Sequence, residues 1–119
     1  MDLNLWRSTR THAYLFAYHP VQSNLHYYQM YLEASPRKEK KWRATFSDGT
    51  HTDFGDATME DYTQHHDKER REAYRSRHKK DLNTHDPKRA GFLSYYILWG
   101  QSTSIAKNLA AYKKAHPSL

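Results

Sequence analysis

The sequence predicts an α+β fold, with a small antiparallel sheet from the N-terminal half packed against two or three helices from the C-terminal half. Three observations lead there. In residues 41–55, KWRATFSDGTHTDFG, Trp42, Ala44 and Phe46 alternate with polar neighbours and Ser47-Asp48-Gly49 supplies turn chemistry, the pattern of a β-hairpin. Residues 67–80 keep helical spacing under a heavy load of charge. Residues 87–99 then form a run that is apolar nearly all round, opened by Asp86-Pro87 and closed by Gly100. With 119 residues the chain is long enough for one core and too short for two, so residues 1–119 are read as a single domain.

Leu3 and Leu5 alternate about Asn4, and residues 13–19, AYLFAYH, are rich in strand-favouring aromatics. Residues 25–32, LHYYQMYL, fit two periods. Leu25, Tyr28 and Leu32 make a helical face, whereas His26, Tyr28, Met30 and Leu32 make a strand face, and strand is slightly favoured. Pro20 and Ser35-Pro36 separate these pieces as turns, because proline lacks the backbone donor and disfavours helix in the residue before it. The second strand of the hairpin is expected at residues 50–54, and the hairpin needs further strands or a helix over its apolar face.

In the first helix Asp67 is the expected N-cap, Glu69 sits favourably near the N-terminus and Lys79-Lys80 in the last turn. Ala73 and Tyr74, joined by His78 and Leu82, form a narrow stripe, so this helix should lie on the surface with one edge docked. Asp86 is the expected N-cap of the core helix, with Pro87 at its first position. Phe92, Tyr95, Tyr96 and Trp99 recur there at helical spacing, and Leu93, Ile97 and Leu98 widen the face. Ser102 is expected to cap a last helix in which Ile105, Leu109 and Tyr112 repeat, ending before Pro117. The last two helices should form a hairpin packed on the sheet.

Hydrophobic content is only 37%, but 10 Tyr, 3 Trp and 4 Phe can each bury a large area. Tyr and Trp are also enriched at interfaces, so some can serve a partner. The absence of cysteine excludes disulfides, thiolate zinc sites and thiol nucleophiles. The start MDLNLWRSTR lacks the basic region and apolar stretch of a secretory signal, and the apolar run 92–99 is too short to span a bilayer, so an intracellular, soluble protein is expected.

A net charge of +6 raises the expectation of a polyanionic or acidic partner. The charge is uneven. Residues 1–36 hold Arg7 and Arg10 against Asp2 and Glu33, whereas residues 68–80 hold seven Lys or Arg against Glu69 and Glu72. Candidate partner- or polyanion-binding residues are therefore Arg70, Arg71, Arg75, Arg77, Lys79 and Lys80, with a second patch of Lys38, Lys40, Lys41 and Arg43. The alternative is a solvated helix whose arginines pair with Glu69, Glu72 and nearby aspartates. No helix-turn-helix or stacking-sheet signature for sequence-specific nucleic-acid reading is evident.

No catalytic residue, cofactor or metal ligand is expected. His65 and His66 are adjacent and point apart, and no histidine pair has ligand spacing with His78 or His85. Asp53, Asp56, Glu60, Asp61 and Asp67 cluster in sequence, and a two-metal nuclease could use such a set. Their places at the ends of a hairpin and a helix favour turns and caps instead. Neither a Gly-x-Gly-x-x-Gly nor a Gly-x4-Gly-Lys-Ser segment is present.

Phe54-Gly55, the string from Asp61-Tyr62-Thr63 through His65, Asp67, Arg70-Arg71 and Tyr74 to Arg77-His78, and Ala90-Gly91-Phe92, Ser94 and Leu98-Trp99 match the pattern FG…DYTxHxDxxRRxxYxxRH…AGFxSxxxLW. This resembles a family of small, basic, functionally uncharacterised proteins of nucleocytoplasmic large DNA viruses of algae and amoebae. The resemblance covers residues 38–115, with Leu5-Trp6-Arg7-Ser8-Thr9-Arg10 matching a family-like start in residues 1–10 and residues 11–35 standing as an insertion. It implies a viral protein found in the host-cell cytoplasm or virus factory and in the virion. The expected role is non-enzymatic and structural, a minor capsid or capsid-associated component binding larger virion proteins. Tyr14, Phe16, Tyr18, Tyr27, Tyr28 and Tyr31 are its candidate interface anchors. The alternative is an accessory protein that binds nucleic acid non-specifically through phosphate contacts of the basic helix.

Overall fold

The computed structural model describes residues 29–119, and their fold is α+β. Three strands, β1 (Tyr31–Ala34), β2 (Lys40–Thr45) and β3 (His51–Asp56), form an antiparallel sheet in the order β1-β2-β3. Four helical elements follow: α1 (Tyr62–His65), α2 (Lys68–His78) extended by a 3-10 segment (Lys79–Thr84), α3 (Ala90–Leu93) continued by a π-helical turn (Ser94–Leu98), and α4 (Ile105–Ala115).

The sheet follows from period-two alternation. Leu32 and Ala34 of β1, Trp42 and Ala44 of β2 and Phe54 of β3 all face inward, and the pairs Leu32↔Ala44, Ala34↔Trp42 and Trp42↔Phe54 put these side chains in cross-strand contact. Met30 and Leu32 are both buried, so the strand reading of residues 25–32 holds where the chain is described. Tyr31–Ala34 thus belongs to the sheet, although residues 11–35 read as an insertion. The β2–β3 connection closes with Gly49 N–H donating to Phe46 O, and Gly49 takes a left-handed conformation (φ 88°) that favours glycine.

Helices cover the inner face. Leu93, Ile97, Leu98 and Trp99 of α3 and its continuation, with Leu109 and Tyr112 of α4, close a core with the strand residues and Tyr62. Leu109 and Tyr112 are buried and Ile105 packs at the edge, as their spacing predicts.

Two boundaries and one helix face differ from expectation. Asp86-Pro87 does not open the core helix; it makes a turn in which Asp86 Oδ1 accepts from Lys88 N–H and Asp86 O from Arg89 N–H, and α3 begins at Ala90. Tertiary contacts select the turn: Thr52 Oγ1 donates to Lys88 O at 2.7 Å and Tyr112 Oη to Pro87 O at 2.5 Å. Ser104 rather than Ser102 caps α4, because Ser102 is held by Asn108, whose side chain accepts from Ser102 N–H and donates to Ser102 O and to the buried Ile97 O. Ala73 is exposed, and α2 docks through aromatic stacking in its place. The Tyr74 ring stacks on Trp99 at 4.2 Å between centroids and on His78 at 4.1 Å. Burial first, then Asp81, pushes the Tyr74 hydroxyl up to about 12.

Gly100 does stop the core helix. A Cβ there would lie 2.2 Å from Tyr96 O, so only glycine lets the chain leave the π turn. In that turn Trp99 N–H donates to Ser94 O. Carbonyls at the helix end are taken by side chains from elsewhere, Tyr95 O and Trp99 O by Arg75 and Ile97 O by Asn108.

Candidate binding surface

The predicted basic residues divide into two groups. Lys41, Arg43, Arg71 and Arg75 hold the fold together. Lys41 Nζ donates to Asp61 Oδ2 and Gln64 Oε1, both at 2.6 Å, across an ion pair whose side chains are 13% and 4% exposed. Arg43 forks onto its cross-strand partner Asp53 at 2.8 and 3.1 Å, which draws the Asp53 carboxyl below its ordinary range. The Arg71 guanidinium lies over the Tyr62 ring and pairs with Glu72. That of Arg75 lies 4.1 Å from the Tyr95 ring centroid and donates to two carbonyls. These four candidate partner- or polyanion-binding residues have partners within the fold.

Arg70, Arg77, Lys79 and Lys80 remain exposed, as does Lys38, and Lys40 is half-buried. Arg70 and Arg77 are two helical turns apart, so they share one face of α2. The exposed charge around the helix is of both signs. Exposed charges of residues 67–80 are Lys68, Arg70, Arg77, Lys79 and Lys80 against Asp67, Glu69 and Glu72.

The acidic residues serve as caps and turns. Asp61, 3% exposed, accepts from Thr63 N–H and Thr63 Oγ1, and Gln64 completes a capping box on α1. Asp67 Oδ1 caps α2 through Glu69 and Arg70 N–H. Asp56 Oδ1 accepts from Thr58 N–H and Oγ1. Asp48 does likewise for Thr50 and pairs with Lys88 at 2.5 Å, so its carboxyl sits far below its ordinary range. Among the described residues no group of three or more His, Asp or Glu could hold a metal ion.

His65 plays a part that its sequence position did not reveal. Its Nδ1 accepts from Asp67 N–H at 2.9 Å, fixing the neutral tautomer with hydrogen on Nε2, and Nε2 is buried with no hydrogen-bond partner. The ring packs against Trp99 and Tyr62. Burial, then Arg70, lowers its pKa below that of a free histidine. Through His65 and Tyr74 the motif thus fastens α1 and α2 onto Trp99 at the end of the π turn, while Asp61 ties α1 to Lys41 of the sheet.

Of the candidate anchors, Tyr31 is half-buried on β1, while Tyr14, Phe16, Tyr18, Tyr27 and Tyr28 lie outside the described residues. Spacing did not disclose a cleft of about 290 Å³ between α4 and the end of the π turn. Tyr96 and Tyr112 supply aromatic wall, Arg75 and His116 positive or protonatable groups, and Gln101 and Asn108 amides. Among the described residues no helix is long and apolar enough to cross a membrane.

A family model described as a family of unknown function, DUF5754, matches residues 30–78, which run from the buried Met30 through the last residue of α2. No curated protein and no solved structure matches the chain.

Proposed function

We propose that this protein is a non-enzymatic binding component and, on the strength of the motif resemblance, a minor capsid or capsid-associated virion protein that docks on larger subunits. The observation that carries the reading is the mixed exposed charge of residues 67–80, where five cations stand beside three anions. A polyphosphate would be repelled by Asp67, Glu69 and Glu72. A protein surface can offer the complementary pattern, and such matching confers register and specificity more than raw affinity. The carboxylates that catalysis would require are engaged in caps, turns and ion pairs, which supports a role without chemistry.

Quantitative mass spectrometry of purified, nuclease-treated particles tests this. A fixed molar ratio to the major capsid subunit is expected, and absence from particles would overturn the virion role. The second reading, non-specific nucleic-acid binding, draws on Arg70, Arg77, Lys79 and Lys80 with Lys38 and Lys40. It requires affinity that falls steeply between about 50 and 200 mM salt.

A further inference from the structure

The cleft beside α4 combines a guanidinium that has donors to spare with an aromatic wall. Arg75 lines it, half-buried, and only Nη1 is used, for Tyr95 O at 3.2 Å and Trp99 O at 2.8 Å. A guanidinium carries five N–H donors, so the donors on Nε and Nη2 have no protein acceptor among the described residues. Nor does Arg75 have a carboxylate partner there, unlike Lys41 and Arg43. Among the described residues no Asp or Glu lines the cleft. A half-buried guanidinium is favourably matched by an anion, and among the described residues none is placed to supply it.

The rest of the cleft limits what that anion is attached to. Tyr96, 37% exposed, and Tyr112 line the cleft with their rings in contact at 6.0 Å between centroids, and the small side chains of Ala111 and Ala115 leave space beside them. The volume of about 290 Å³ is at the bottom of the range for small-molecule sites, about 300–1,000 Å³. That is space for one apolar side chain and its carboxylate.

We propose that this cleft captures the carboxy-terminal residue of a partner chain, an apolar or aromatic side chain lying over Ala111 and Ala115 against the Tyr96 and Tyr112 rings and its terminal carboxylate meeting the unused N–H donors of Arg75. Gln101, exposed at the rim, supplies a further amide donor. The inference rests on the reading of this protein as a binding component and adds the chemistry of what is bound. Its test needs no virus particle, so failure here and absence from particles are separate results.

The experiment is an NMR titration of the 15N-labelled protein with N-acetylphenylalanine, compared with the same compound as its carboxamide. Saturable shifts of the Gly100, Gln101 and Ala111 amides are expected with the free acid, at a Kd on the order of 1 mM for so small a probe. The carboxamide should bind at least about tenfold more weakly, since it cannot form the charge-assisted bond. Arg75→Lys should reduce the preference for acid over amide. Because Arg75 also holds two carbonyls, Ala111→Trp serves as the second variant; position 111 is exposed on α4, so filling the cleft there should leave the fold intact and abolish the shifts at Gly100 and Gln101. Equal affinity for acid and amide, no shifts at these amides, or undiminished binding to Ala111→Trp would each overturn the proposal.

Discussion

Replacing Asp61 with alanine should cost about 3 kcal/mol or more, which is large against the roughly 5–15 kcal/mol that stabilises a typical domain. Asp61 does two things from a buried position. It caps α1 through Thr63 N–H at 2.9 Å, and it is the counter-ion of Lys41, whose side chain is only 13% exposed. Loss of a cap alone costs about 1 kcal/mol. Removing one member of a buried ion pair costs about 3–5 kcal/mol, because the other charge stays out of water unpaired. These terms overlap, and Gln64 Oε1 still accepts from Lys41, so the lower end is expected. For a folded unit of this size the midpoint should fall by about 10–25 °C. Urea unfolding followed by circular dichroism gives the free energy directly. Asp61→Asn keeps an acceptor for Thr63 and should lose less than Asp61→Ala, and in a double-mutant cycle Lys41→Met should largely suppress the difference. A loss below about 1 kcal/mol for Asp61→Ala would refute the idea that this pair fastens α1 to the sheet.

Asn108→Leu should destabilise by about 2–4 kcal/mol in the same assay, since it strands the buried Ile97 O and both backbone groups of Ser102. Gly100→Ala should be among the most damaging single substitutions, because its Cβ would meet Tyr96 O at 2.2 Å, whereas Gly49→Ala meets open space and should cost only about 1–2 kcal/mol for its positive φ. Acid should weaken the fold in two stages. The lowered pKa of His65 gives stability that is complete above the free-histidine value of about 6.5 and lost as pH falls from there through the lower folded-state pKa; the lowered pKa of Asp53 gives stability present above about 3.9 and lost as pH falls from there through its own folded-state pKa. Melting temperatures from pH 8 to pH 3 should show both, and His65→Gln should flatten the upper stage only. Arg70→Glu with Arg77→Glu should change stability by less than about 0.5 kcal/mol, both being exposed, yet reduce co-purification with particles.

Much of the local structure was readable because the signals are local. The alternation of Trp42, Ala44 and Phe46 states a period of two that a half-buried strand requires, and Asp67 sits where a helix has unpaired N–H groups to satisfy. Leu109 and Tyr112 repeat at the helical period and are buried. Asp86-Pro87 misled for a related reason. The same two residues suit a helix start and a turn, and the bonds to Lys88 O and Pro87 O that favour the turn come from 36 and 25 residues away.

The sequence by itself determined an α+β chain with a central hairpin, a charged helix and an aromatic core helix. Only the tertiary structure decided which charges remain for a partner. Lys41 and Arg43, or Arg75 and Arg77, look alike in composition and spacing. One member of the second pair meets the carbonyls of Tyr95 and Trp99 and the other meets water. Burial and pairing depend on what distant segments bring alongside, so the anion-lacking Arg75 and its aromatic cleft exist only once α2, the π turn and α4 are packed together.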